Sequence, residues 1–253
     1  MTKIITTLHD PSNVFSPLIE QVKELFMELA PNLVIACTET TNTNIINYIS
    51  SYGALTMEGG LWGQSRRKAL AYTLDQTQAQ NFFVCDFDKI IHWLKVAPEE
   101  LSNLLKEGVS VGEFRILGRD AKTFATYPNS WLATESKINK MVSRLIKLDV
   151  DILAATFLFD WDIAQSIVSQ SQEESWGACV EWPLIAFSTG KKMSCKNAQG
   201  LTFEDPDRCQ EDIQRAGGYE NWLENRFDNP TEWAKRFGAS LEQTKVVERF
   251  WNE

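Results

Sequence analysis

The sequence lacks what several large classes of protein require. Its five cysteines (Cys37, Cys85, Cys179, Cys195 and Cys209) form no C-x-x-C pair and are odd in number, so neither a zinc site nor a disulfide framework is expected. Cys37 and Cys85 lie in apolar runs and read as small core residues of a cytoplasmic protein. Long hydrophobic runs are missing too. The longest, residues 152–159, is far too short to span a bilayer. The opening "MTKIITTLHD" has none of the charged, apolar and small-residue series of a signal peptide. Positive charge is in deficit, with 25 Lys and Arg against 34 Asp and Glu and a net charge of -9. That balance argues against a nucleic-acid backbone as the main partner. A phosphorylated small molecule stays open if a local cationic patch or a metal receives it. Histidine is scarce, with only His9 and His92.

What is present is a core-forming α/β pattern. Hydrophobic residues make up 43% of the chain, enough for a full core. Residues 3–8, 32–37 and 81–85 read as near-continuous apolar strands, with "ALTME" at 54–58 as another. Helical spacing follows each in turn: a stripe of Leu18, Val22, Leu25, Phe26 and Leu29 after Ser16-Pro17, one of Ile45, Ile46 and Ile49 stopped by Gly53, and a helix from Ser65 to Leu74. Strands alternating with helices predict a parallel sheet covered on both faces. Residues 113–119 alternate as a half-exposed strand, 130–147 form a long helix, and 152–159 form a buried strand with Asp160 capping the helix after it. From Asp205 onward only helices are expected, broken at Gly217-Gly218, Pro230 and Gly238. The chain reads as a single domain over 1–253, with a first half (1–100), a second half (101–200) and a helical C-terminal cap (201–253).

Chemistry is suggested first by "VCDFDKI". Side chains at i and i+2 of a strand share a face, so Asp86 and Asp88 would project together past a strand end, where ligands of open α/β sheets bind. Such a pair suits Mg²⁺ or Mn²⁺, which take further oxygens from phosphates. The alternative is that Asp86 ends the strand and Asp88 caps the following helix. In "GQSRRKAL", a helix capped by Ser65 would carry Arg66, Arg67 and Lys68 in its first turn, an unfavourable place for cations by about 0.3–1 kcal/mol each. A bound phosphate would reverse that sign for Arg66 and Arg67; the alternative, preferred for Lys68, is that the side chains splay into solvent. Glu39, after the second strand, can accept hydrogen bonds from a ribose or base edge, the alternative being a solvated loop acid. Glu135 and Asn139, one turn apart, share a helix face that is otherwise a solvated stripe beside the apolar one. Glu181, flanked by apolar residues in "CVEWPL", would have a raised pKa if unpaired; the commoner explanation of such an acid is a structural hydrogen bond.

Taken together, "FFVCDFD", the basic helix before it, and "LGRDAKTFATYP…TESKIN" and "EWPLIAF" after it resemble the GT-A fold of nucleotide-diphospho-sugar glycosyltransferases, over roughly residues 3–190. The resemblance implies a mixed, mostly parallel central sheet flanked by helices, with a nucleotide-binding half over 1–100, an acceptor half over 101–200 and a helical C-terminal cap over 201–253. It implies transfer of a sugar from a nucleotide-sugar donor to an acceptor hydroxyl, with Mn²⁺ or Mg²⁺ on Asp86 and Asp88. Nucleotide binding would fall to Thr7, Glu39, Arg66, Arg67 and Asp86, and the base would be Glu181 or Glu135. The sequence departs from the family in having no histidine after His92 to serve as a third metal ligand, and no glycine-rich nucleotidyltransferase start. Two other readings stay open: a haloacid-dehalogenase-type phosphatase with Asp86 as nucleophile, and a GT-A-shaped protein that binds a nucleotide or a partner without turnover.

Overall fold

The computed structural model describes residues 2–251. Seven strands, β1 (Thr2–Leu8), β2 (Leu33–Cys37), β3 (Leu55–Glu58), β4 (Asn81–Val84), β5 (Glu113–Gly118), β6 (Thr156–Asp160) and β7 (Lys192–Asn197), form one α/β sheet in the order β3-β2-β1-β4-β6-β5-β7. Pairing is parallel throughout β3-β2-β1-β4 and between β5 and β7, and antiparallel where β6 meets β4 and β5. The sheet is therefore mixed and mostly parallel. Because β6 runs against the rest, its amino end lies at the same edge as the carboxyl ends of β1 and β4. That edge carries the candidate site.

Pleating sends alternate side chains to opposite faces, and here both faces are covered. Ile5, Phe82, Val84, Phe157 and Phe159 join one core with residues of the helices Trp62–Gln76, Asn129–Ile146, Trp161–Gln170 and Ala178–Ser188. Ile4, Phe83, Cys85 and Leu158 join the other core with residues of the helices Phe15–Gln21, Lys23–Leu29, Phe87–Val96 and Pro98–Glu107. This double burial explains why the inner strands read as unbroken apolar runs. The C-terminal helix Pro230–Trp251 packs Val246 and Val247 into the first core, while Phe203, Trp222, Phe227 and Tyr127 form a separate aromatic cluster.

Several expected elements shift. The helix expected after Ser16 begins at Phe15 and is interrupted at Val22, and its first amides are met by Asp10, whose carboxylate accepts from Val14 and Phe15 at 2.9 and 3.0 Å. Residues 152–154 form a 3₁₀ turn, and Ala155 adopts a left-handed conformation before β6 starts at Thr156. Gly238 does not break the last helix, which runs from Pro230 to Trp251 and buries Gln243, Val246 and Val247 beyond it. β7 was not expected: its sequence KMSCKN is polar because it is a largely exposed edge strand. Asp160 caps its helix as expected, accepting from Ile163 N at 3.1 Å.

Candidate functional site

The helix Trp62–Gln76 starts one turn earlier than the sequence suggests. Ser65 is not its cap; its hydroxyl folds back on Gly60, accepting from the amide at 2.7 Å. Arg66 is therefore beyond the first turn and points into the protein, where it is 1% exposed. Its anion is already present. Arg66 Nη2 donates to Asp86 Oδ1 at 2.5 Å and Nη1 to the Ala155 carbonyl at 3.0 Å, with the guanidinium lying 3.8 Å from the centre of the Trp62 ring. That carbonyl, like Ala154 O, belongs to the turn that leads into β6.

Asp86 occupies the N-cap position of the helix Phe87–Val96, yet its side chain makes no capping bond. It is spent on three partners instead. Besides Arg66, Trp62 Nε1 donates to Oδ1 at 3.0 Å and Lys89 Nζ to Oδ2 at 3.3 Å. Burial alone would raise its pKa, but Arg66 and Lys89 outweigh burial and hold the carboxyl well below the usual range. Lys89 is itself buried, giving its second hydrogen bond to Ala154 O at 2.9 Å. Burial would lower the ammonium pKa, but Asp86 and Glu204 outweigh it and the net shift is upward.

Asp88 is in the first turn of a helix, not on a strand, so the i, i+2 argument for a shared direction does not hold. Both aspartates nevertheless line one cavity of about 470 Å³. Asp88 faces Arg208 Nη1 at 3.2 Å, and Arg208 also pairs closely with Asp205. Glu204, 6% exposed, completes the group and accepts from the Tyr127 hydroxyl at 3.2 Å. Burial, reinforced by Asp88 and Asp205, pushes Glu204 up to about 8, and burial likewise raises Asp88.

The segment bearing these acids is held by contacts that little else could make. Gly200 sits on the indole of Trp93, where a Cβ would fall 2.0 Å from a ring atom. His92 bonds Asp207 at 2.6 Å and Thr202 at 2.7 Å. It is a strut between the helix Phe87–Val96 and this segment.

The cavity wall is aromatic as well as charged. Trp62 and Trp176 stack at 5.8 Å with a 20° interplanar angle, made possible by Gly63, where a Cβ would lie 2.7 Å from that of Ala178. Trp131 also lines the cavity, under Arg236, whose guanidinium is 3.5 Å from the ring, and its buried indole N–H has no hydrogen-bond partner among the described residues. Trp62 thus carries Arg66 as well as Trp176 on its ring, and Trp176 is the exposed member of the pair.

Thr7 and Glu135 also line this cavity. Glu135 Oε2 accepts from Arg119 Nη2 at 2.6 Å, and Arg119 in turn holds Asp151 at 2.6 Å through Nε. Burial raises the Glu135 pKa, and Arg119 only partly opposes it. Asn139 shares the helix face, as expected, and donates to Asp151 at 2.6 Å.

The remaining expected residues lie elsewhere. Arg67 donates to Ser171 O and Glu173 O, both at 3.1 Å, and so braces the loop before the helix Ala178–Ser188. Glu181 is the anchor of that same loop, accepting from Ser171, Gln172, Glu173 and Arg249 at 2.6 to 3.1 Å. Its apolar flanks reflect this structural network; Glu181 is not in the cavity lining. Glu39 is exposed in the turn after β2 and also lies outside the lining.

The donors around Asp86 and Asp88 do not suit a divalent cation. Both oxygens of Asp86 are engaged by cationic or N–H groups, Asp88 is paired with Arg208, and the Lys89 ammonium occupies the space beside Asp86. Among the described residues no group of three or more His, Cys, Asp or Glu side chains is arranged to hold a metal. At roughly 4 Å, a divalent ion and an ammonium would repel by about 8 kcal/mol at an effective dielectric constant of about 20.

Sequence reasoning missed Lys89, Arg208, Glu204 in its role, and the indoles of Trp62, Trp131 and Trp176. Two signals were available: Lys89 follows Asp86 by one helical turn, and Trp62 precedes Arg66 by one. No protein family and no curated protein matches the chain. Among the described residues no helix is long and apolar enough to cross a membrane.

Proposed function

We propose that the chain is a glycosyltransferase that moves a sugar from a nucleotide-diphospho-sugar to an acceptor hydroxyl in the cavity at the carboxyl edge of β1 and β4. One observation carries this reading. Aspartates, cations and stacked indoles converge in a single cavity of about 470 Å³, within the range of small-molecule sites. The mixed, mostly parallel sheet supports the GT-A-like architecture that the sequence suggests. In this reading Lys89 and Arg208 meet the anionic leaving group, and the exposed Trp176 indole meets the sugar.

In the transfer, the bond between the anomeric carbon and the diphosphate oxygen breaks, and its electron pair leaves with the nucleoside diphosphate. The acceptor oxygen bonds to the same carbon and gives up its proton. Glu135 is the base in this reading, because it lines the cavity and its raised pKa improves it as a proton acceptor. Glu181, tied into its loop, is set aside.

The phosphatase reading is less well supported. A nucleophilic Asp86 needs a free oxygen, and both of its oxygens are engaged. Thermal unfolding with UDP-, GDP-, ADP- and dTDP-sugars tests the proposal. A ligand at a hundredfold excess over its Kd stabilises the native state by about 2.7 kcal/mol, so one base should raise the Tm clearly above the others. A flat panel, with and without Mn²⁺, would contradict the proposal and favour a protein without this activity.

A further inference from the structure

We infer that Lys89 and Arg208 stand where a divalent cation would otherwise be needed, and that the site takes up a nucleoside diphosphate by direct ammonium and guanidinium contacts. This inference rests on the reading of the cavity as a nucleotide-sugar site and specifies how the diphosphate is held.

The first support is the donor count. A lysine ammonium has three N–H donors. Asp86 and the Ala154 carbonyl take two of those of Lys89, and the side chain lines the cavity, which leaves the third for a ligand. Lys89 is 7% exposed, so its position is set by packing, and a phosphate oxygen meeting it is not competing with bulk water.

The second support is the pairing of Arg208. Its contact with Asp88 is 3.2 Å, and its side chain is 29% exposed, so it retains freedom at the cavity wall. A guanidinium that bridges two carboxylates can exchange one of them for phosphate, keeping a charge-assisted pair throughout.

The third support is the identity of the partner on Asp86. A carboxylate that waits for a metal presents free oxygens, whereas Asp86 orients Lys89 and Arg66. Its role becomes that of a positioning residue for the cation beside it. The two aspartates thus keep their place at the end of β4 while their chemistry changes from metal ligands to cation holders.

The experiment is isothermal titration of the full chain with UDP, GDP, ADP and dTDP, in EDTA and again with Mn²⁺. The inference expects one diphosphate to bind in EDTA with a Kd within about threefold of that in Mn²⁺. It also expects Lys89→Met and Arg208→Gln each to weaken binding by at least tenfold, with the corresponding nucleoside monophosphate much less affected by either change. Arg208→Gln covers the case in which the buried Lys89→Met chain fails to fold. Binding that appears only with Mn²⁺ would overturn the inference and leave the proposed function standing. Equal affinity in wild type and Arg208→Gln would also overturn it. No binding of any diphosphate under either condition would overturn both.

Discussion

Replacing Glu204 by glutamine removes a charge while keeping the shape. The glutamine carbonyl can still accept from the Tyr127 hydroxyl, which is 3.2 Å from Oε2 in the native chain. Folded Glu204 keeps its proton up to about pH 8 because it is buried beside Asp88 and Asp205. In the unfolded chain a glutamic acid ionises near pH 4.3. Below that value both states are protonated and stability does not depend on this group. As pH rises from there to about 8, the unfolded state gains by releasing a proton that the folded state retains, so stability falls. At about 1.4 kcal/mol per pH unit the full loss is about 5 kcal/mol, or about 3–5 once neighbouring carboxylates share the proton. Urea unfolding of wild type and Glu204→Gln at about pH 5, 6.5 and 8 reads the difference directly from the midpoints at constant slope. The two proteins should be close in stability at the lowest pH, and Glu204→Gln should be the more stable by several kcal/mol at the highest. Parallel midpoint curves across that range would refute the reasoning.

Arg66→Met should destabilise the fold by about 3–5 kcal/mol, since it leaves Asp86 short of its closest partner in a buried setting; Asp86→Asn in the same chain should recover part of that loss in a double-mutant cycle by chemical denaturation. Gly200→Ala should cost about 1–3 kcal/mol from overpacking against Trp93, and a changed tryptophan emission spectrum would report the displaced indole. Glu135→Gln should lower kcat of the proposed transfer about 10²- to 10⁴-fold with little change in donor affinity, measured by steady-state kinetics. Arg67→Ala should lower Tm through the loop it braces and leave nucleotide affinity unchanged, as calorimetry would show.

The architecture was legible in the sequence because buried parallel strands leave a strong signal. Residues 3–8, 32–37 and 81–85 are apolar on both faces, and the strands found there differ from expectation only at their ends. β7 was not legible, since an exposed edge strand has neither an apolar run nor strict alternation. The reversed direction of β6 is a tertiary property that no local pattern encodes.

For the candidate site, the sequence pattern indicates a place but not the pairings. "CDFD" falls at the sheet edge that bears the cavity, and Thr7 and Glu135 line the same cavity. What the pattern could not supply was the pairing. Arg66 and Arg67 are adjacent in sequence, but successive side chains on a helix point about 100° apart, and one enters the core while the other clamps a loop. Glu181 among apolar neighbours suits a structural hydrogen bond, the commoner explanation, as well as chemistry, and its partner Arg249 is too far along the chain to be foreseen.

The central claim is tested most directly by following release of nucleoside diphosphate from the nucleotide sugar that binds best, by chromatography, in the absence of any acceptor. The account predicts slow, steady hydrolysis by the wild-type chain, accelerated by acceptor hydroxyls and reduced at least tenfold by Arg208→Gln. Release of inorganic phosphate from simple phosphate esters, with the nucleotide sugar left intact, would contradict it.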